Sequence, residues 1–228
     1  MIRALLFDLD DTLYCEHDFV ASGYRAVAAH VSARCGQPAD EILRAMMAIF
    51  DGEGRRAVMP AVLDRFPGSI SGVDELVDVY RRHEPVIRLF AGYEDLLREW
   101  SRTYRLGIIT DGIPEVQEKK CRALGLIGLV DLILCTWHYG CEKEKPHPHP
   151  FRQMLADLQV RPAEALFIGD SLEKDCRGAR AAGMRSVLLH RRPMAGTAEA
   201  AEQTDFVVES LFQVPMLLKQ LEDYNELP

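Results

Sequence analysis

The residues best suited to chemistry begin at the eighth position. Asp8-Leu9-Asp10-Asp11-Thr12 follows a short apolar run. Asp8 and Asp10 lie two positions apart, so on extended backbone they share a side. That spacing lets one carboxylate attack while the other manages a proton. Two further apolar runs end in the same way, one in Thr110-Asp111-Gly112 and one in Gly169-Asp170-Ser171, with Asp175 five residues past Asp170. Carboxylates crowded together repel one another unless a cation sits among them, and oxygen donors of this kind suit Mg²⁺.

The elements that must bring these residues together are legible in the apolar pattern. Ala4–Phe7, Leu106–Ile109, Leu132–Leu134, Ala165–Ile168 and Ser186–Leu189 are short and continuously apolar. Such runs fit strands buried on both faces of a parallel sheet. Helical patterns separate them at Tyr93–Trp100, Val116–Leu124, Phe151–Leu158 and Asp175–Ala182, the alternation that marks an α/β fold. Ligands of open parallel sheets bind beyond the carboxyl ends of the strands, where all three polar segments would project. Between Cys15 and about Val86 the texture changes to apolar residues at three- and four-residue steps: Val20, Tyr24, Val27 and Val31, then Ile42 or Leu43, Met46 or Met47 and Phe50, then Val58, Val62 and Phe66, then Val73, Leu76 or Val77 and Tyr80. That pattern predicts four amphipathic helices, with Ser71 and Asp74 as a cap for the fourth and Pro85 ending it. The Met46-Met47 pair is read as core.

These residues resemble the haloacid dehalogenase (HAD) superfamily, in the phosphatase-type subgroup with a helical cap inserted after the first motif. The first motif, D-x-D-x-T, is Asp8 to Thr12; the second, a strand-end hydroxyl, is Thr110. The third, K-P-x-P-x-x-F, is Lys145 to Phe151, and the fourth, G-D-S-x-x-x-D, is Gly169 to Asp175. The resemblance implies a doubly wound, Rossmann-like α/β core over residues 1–14 and 89–228, with a small four-helix cap over 15–88. It implies Asp8 as nucleophile, Asp10 as general acid and base, and Thr110 and Lys145 as holders of the phosphoryl oxygens, with Asp111 and Gly112 beside them at the substrate. Asp8, the backbone carbonyl of Asp10 and Asp170 would bind Mg²⁺, and Asp175 would act on it indirectly. Relatives that attack carbon lack an acid two positions after the nucleophile, so Asp10 points to phosphoryl transfer. The implied activity is Mg²⁺-dependent hydrolysis of a small phosphorylated metabolite through an aspartyl-phosphate. Cap closure, hinged near 14–17 and 84–92, would exclude water, and His17, Phe19 and Arg55 are the cap residues expected toward substrate, with a solvated loop tip as the rival reading of Arg55.

One departure is Asp111, where the family often has Asn; its carboxylate is expected to turn away from the phosphate or to cap the helix near Pro114. Lys143 competes with Lys145, and Asp175 has a rival role as a helix-start acid. Cys135, His138 and Cys141 hold ligands for zinc at a spacing unlike the common zinc motifs. A phosphomutase of the same architecture and a non-catalytic binding relative are the alternative functions.

Composition limits the partners. The chain has 228 residues, with 27 Lys and Arg against 35 Asp and Glu, a net charge of −8. The acidic balance and the absence of a basic block argue against nucleic acid or an anionic membrane. No apolar stretch is long enough to span a bilayer. Six scattered cysteines without a C-x-x-C pair, and no secretory pattern at the N-terminus, are expected of reduced thiols in the cytoplasm. Nothing in the sequence separates monomer from homodimer.

Overall fold

The first apolar run forms β1 (Ala4–Phe7), with all four residues buried, and the computed structural model places it inside a six-stranded sheet. Residues 1–68, 70–190 and 204–225 are described. The other strands are β2 (Arg105–Thr110), β3 (Leu132–Cys135), β4 (Ala165–Gly169), β5 (Arg185–Leu189) and β6 (Phe206–Val208). Their order is β3-β2-β1-β4-β5-β6, and every neighbouring pair is parallel. The five predicted runs are all present. The sixth strand has three residues, too few to stand out as a pattern.

Burial on both faces explains why β1 lacks the polar–apolar alternation of an exposed strand. On one face Ala4 and Leu6 pack with Phe151, Met154 and Leu155 of α7 (Pro148–Asp157) and Ala179 of α8 (Arg177–Ala181). On the other, Phe7 stacks on Trp100 of α5 (Tyr93–Trp100), ring centroids 6.0 Å apart. Helices on both faces of a parallel sheet make the fold doubly wound α/β. Also in this unit are α6 (Pro114–Ala123), between β2 and β3, and α9 (Val214–Asn225).

The chain divides into two compact units, one holding the sheet and the other spanning Glu16–Ile87. The second consists of α1 (Glu16–Cys35), α2 (Ala39–Glu53), α3 (Arg55–Arg65) and α4 (Val73–Arg82). Its core joins Val20, Tyr24, Val27 and Val31 to Ile42, Met46, Val58, Val62 and Leu76. These are the residues that the three- and four-residue steps pick out, and Met46 is fully buried. The predicted Ser71–Asp74 cap does not form. Gly72 is the N-cap of α4, and Ser71 donates from both N and Oγ to Glu75 Oε2, at 2.9 and 2.7 Å. Among the described residues no helix is long and apolar enough to cross a membrane.

The packing of α8 leaves a specific signature. A Cβ on Gly178 would lie 2.4 Å from the Phe151 ring and 3.2 Å from the Pro146 Cα. Phe151 cannot retreat, because it sits edge-on to Phe167 with centroids 4.9 Å apart. Alanine would gain about 1 kcal/mol of helix propensity over glycine, but the overlap should outweigh it. Gly178→Ala is expected to destabilise by about 1–3 kcal/mol, seen as a lower urea midpoint at unchanged slope.

Candidate active site

Register sets the site. Phe7 pairs with Ile108 on one side and Ile168 on the other, so Asp8 emerges at the carboxyl edge between β2 and β4. Its N–H still belongs to the ladder, donating to the Ile168 carbonyl at 3.0 Å. The side chain is buried and accepts from Lys145 Nζ. The same ammonium donates to Asp175 Oδ1 at 2.8 Å, and Lys145 and Asp175 are themselves buried. Lys145, rather than Lys143, is therefore the amine at the strand ends.

Asp175 reaches this position through a π-helical turn over Leu172–Cys176, a local widening frequent at functional sites. Its other oxygen accepts from the Ser171 N–H at 3.0 Å, so it is no solvated helix-start acid. Gly169 leaves the room: a Cβ there would fall 2.4 Å from both Cγ and Oδ2 of Asp175. The glycine of the fourth motif thus has a steric reason.

Carboxylate oxygens of Asp8, Asp170 and Asp175 all lie within 4.8 Å of one another, the one such group among the described residues. Burial pushes the Asp8 carboxyl well upward; Lys145 opposes this, while Asp175 and Asp10 add to it. Asp170 is pushed up to about 6 by burial and by the charges of Asp175 and Asp11. Burial alone would lower Lys145, but Asp175 and then Asp8 more than offset it and hold the amine charged. Three carboxylates against one ammonium leave the cluster short of positive charge. A hard divalent cation such as Mg²⁺ fits this donor set. Cys135 instead donates its thiol to the Gly112 carbonyl at 3.0 Å, and no zinc-type group with His138 and Cys141 forms among the described residues.

The remaining predicted residues are placed as follows. Thr110 is buried at the end of β2 and donates to Gln117 Oε1 at 3.1 Å. Gly112 beside it has a left-handed φ of 125°. The Asp111 carboxylate turns to other donors: Oδ1 accepts from Thr136 Oγ1 at 2.8 Å and Lys145 N at 3.1 Å, and Oδ2 from Lys174 Nζ at 3.3 Å. It does not cap α6, whose N-cap is Ile113. It ties the segment carrying Lys145 to the end of β2. Asp10 is drawn to Lys120 Nζ, at 2.7 and 2.9 Å from its two oxygens, and accepts from the Tyr14 hydroxyl.

In the helical unit, Arg55 pairs with Glu16 at 2.7 Å and His17 lies 3.7 Å from Asp51. Phe19 corrects an expectation. It is buried, packed against Tyr80 and His83 with centroids 5.7 and 5.1 Å away, so its ring serves the core of this unit.

Sequence reasoning missed Gln117, Lys120 and Tyr14. A signal existed for two of them. Gln117, Lys120, Cys121 and Leu124 are buried at i, i+3, i+4 and i+7, so polar residues occupy an inward stripe where apolar ones are usual.

Fold and site together define a hydrolase with its acid cluster at the carboxyl edge of a doubly wound sheet. The family model for haloacid dehalogenase-like hydrolases matches residues 2–183, and the chain belongs to that family. It is 30% identical to the glyceraldehyde 3-phosphate phosphatase of Pyrococcus furiosus over 98% of this chain and 95% of the relative. It is 33% identical to the phosphoserine phosphatase of Thermus thermophilus over 75% of this chain and 66% of that one. Among solved structures, a 2-haloacid dehalogenase from Pseudomonas syringae pv. Tomato superposes with a TM-score of 0.68 at 25% identity, covering 97% of this chain and all of the other.

Two outcomes follow. Gly169→Ala should displace the Asp175 carboxylate and cut hydrolytic turnover roughly 100-fold, as misplacements near 1 Å do, with the far-UV circular dichroism spectrum unchanged. Asp170, with its folded pKa of about 6 against an ordinary 3.8, binds its proton more tightly folded than unfolded. It therefore withdraws stability as pH rises from about 4 to about 6. In EDTA, Asp170→Asn should melt at the same temperature as wild type below pH 4 and higher above pH 6, followed by differential scanning fluorimetry.

Proposed function

We propose that this hydrolase is a Mg²⁺-dependent phosphatase acting on a small phosphorylated metabolite, through a phosphoryl group carried transiently on Asp8. The observation that carries this reading is the single ammonium of Lys145 shared between Asp8 and Asp175 at the ladder end, with a second carboxylic acid, Asp10, two positions on. The curated relatives named above are phosphatases, of glyceraldehyde 3-phosphate and of phosphoserine, which supports a metabolite phosphate monoester as substrate.

In this reading an Asp8 oxygen forms a bond to phosphorus while the bond to the leaving oxygen breaks. Asp10 donates a proton to that oxygen. It then takes one from the water that attacks phosphorus and releases Asp8. Thr110 and Lys145 hold the phosphoryl oxygens, and Lys145 keeps an anionic electrophile from being repelled by the carboxylates. Asp8, Asp170 and the Asp10 carbonyl would hold Mg²⁺, with Asp175 in support, and the ion would supply positive charge to the phosphoryl group in the transition state. Asp10 favours phosphorus over the carbon chemistry of dehalogenases, because a halide leaves without a proton. The six cysteines are free thiols, which suits a cytoplasmic enzyme.

The test is phosphate release from a panel of phosphorylated metabolites, with and without Mg²⁺. Asp8→Asn preserves shape and removes the nucleophile, so release should fall at least about 1,000-fold. Full release by Asp8→Asn, or transfer of phosphate between sugar positions with none freed, would sink the reading.

A further inference from the structure

We infer that Lys120 is a positioning residue for Asp10, fixing one oxygen of its carboxylate so that the other can meet the leaving group. The inference deepens the phosphatase reading and rests on it.

A lysine in the inward stripe of a helix is expensive to bury unless its charge is met. Lys120 is 3% exposed, beside Cys121 and one turn from Gln117 on the same face of α6. Its ammonium crosses 110 residues of sequence to reach Asp10. The contacts are unequal in a useful way. Asp10 Oδ1 receives Lys120 at 2.7 Å and also the hydroxyl of buried Tyr14. Oδ2 takes the longer Lys120 contact, 2.9 Å. Oδ1 is thus the anchored oxygen and Oδ2 the one better able to exchange its partner for substrate.

The anchoring matters because Asp10 sits where β1 has ended, in a turn whose next residue, Asp11, has a left-handed φ of 57°. The six-stranded sheet ends before Asp10, whose backbone makes an isolated bridge to Tyr14, and its carboxylate is held by the side chains of Lys120 and Tyr14. A freely rotating carboxylate would spend part of its time away from the leaving oxygen, and proton transfer needs heavy atoms within hydrogen-bond reach. Gln117, three residues earlier on the same face, contacts Thr110, so one helix steadies two of the groups around Asp8.

Leaving-group dependence tests this and separates it from a merely structural role. A phenolate needs a proton as it departs, whereas 2,4-dinitrophenolate departs without one. The measurement is kcat/KM with Mg²⁺ over a series of substituted phenyl phosphates, since this constant reports formation of the phosphorylated Asp8. Lys120→Met keeps the stem and removes the charge. It should lose about tenfold more rate on phenyl phosphate than on 2,4-dinitrophenyl phosphate, a fraction of the roughly 100-fold or more that general acid catalysis supplies. Asp10→Ala should steepen the dependence further, and the double variant should be no steeper than Asp10→Ala alone. An equal loss across the series, or no loss, overturns the role of Lys120. A flat profile for Asp10→Ala overturns Asp10 as the acid, and the inference with it, while Asp8→Asn still reports on the phosphatase reading separately. Should Lys120→Met fail to fold, Lys120→Gln is read by the same criteria.

Discussion

One buried ammonium governs the architecture around Asp8. Lys145 donates to Asp8 and to Asp175, and all three side chains are withdrawn from water. Removing such charges from water costs several kcal/mol per ion, recovered only with close partners and further hydrogen bonds. The surroundings supply them. The Ser171 N–H serves the second oxygen of Asp175, and Asp111 accepts from the Lys145 N–H and so fixes the backbone that carries the amine. Even so, one cation faces Asp8, Asp170 and Asp175 together. Burial first, and then repulsion among the acids, raises the carboxyls of Asp8 and Asp170. A site in this state is poised to take up positive charge and, with it, an anionic substrate.

The rest of the sheet unit can be understood as the frame for that cluster. Parallel pairing brings the ends of β1, β2 and β4 to one edge, and backbone hydrogen bonding continues through Asp8, so the proposed nucleophile stands on rigid structure. Asp175 arrives from a π-helical turn, and its approach is possible because residue 169 has no side chain. Asp10 stands apart from this rigidity. It lies past the strand and is held by Tyr14, four residues on, and by Lys120 from α6. The proposed acid and base is thereby separated, in its supports, from the proposed nucleophile.

The helical unit contributes differently. Its core is ordinary helix packing of Val, Ile, Leu and Met, and its candidate substrate residues are engaged with neighbours of their own. Phe19 is the instructive case: an aromatic near a predicted hinge looks available on sequence grounds, yet Tyr80 and His83 close around it. Sequence spacing identifies which residues are apolar at helical period; it does not say which of them the other helices will cover.

The same division runs through the whole protein. Burial on both faces demands continuous apolar runs, and the resulting five strands could be read directly, as could the four helices between them and the polar residues ending β1, β2 and β4. The local constraints that fix those features lie within a few residues of one another. The fold class and the chemical types at the sheet edge are therefore written in short-range patterns of the chain. Lys120 reaching Asp10, Gln117 reaching Thr110 and Asp111 turning to Thr136 and Lys145 join residues that only folding brings together. Tertiary structure alone decided these, because a long polar side chain finds its partner wherever burial leaves its charge or hydrogen bond unmet, and no local periodicity encodes where that will be.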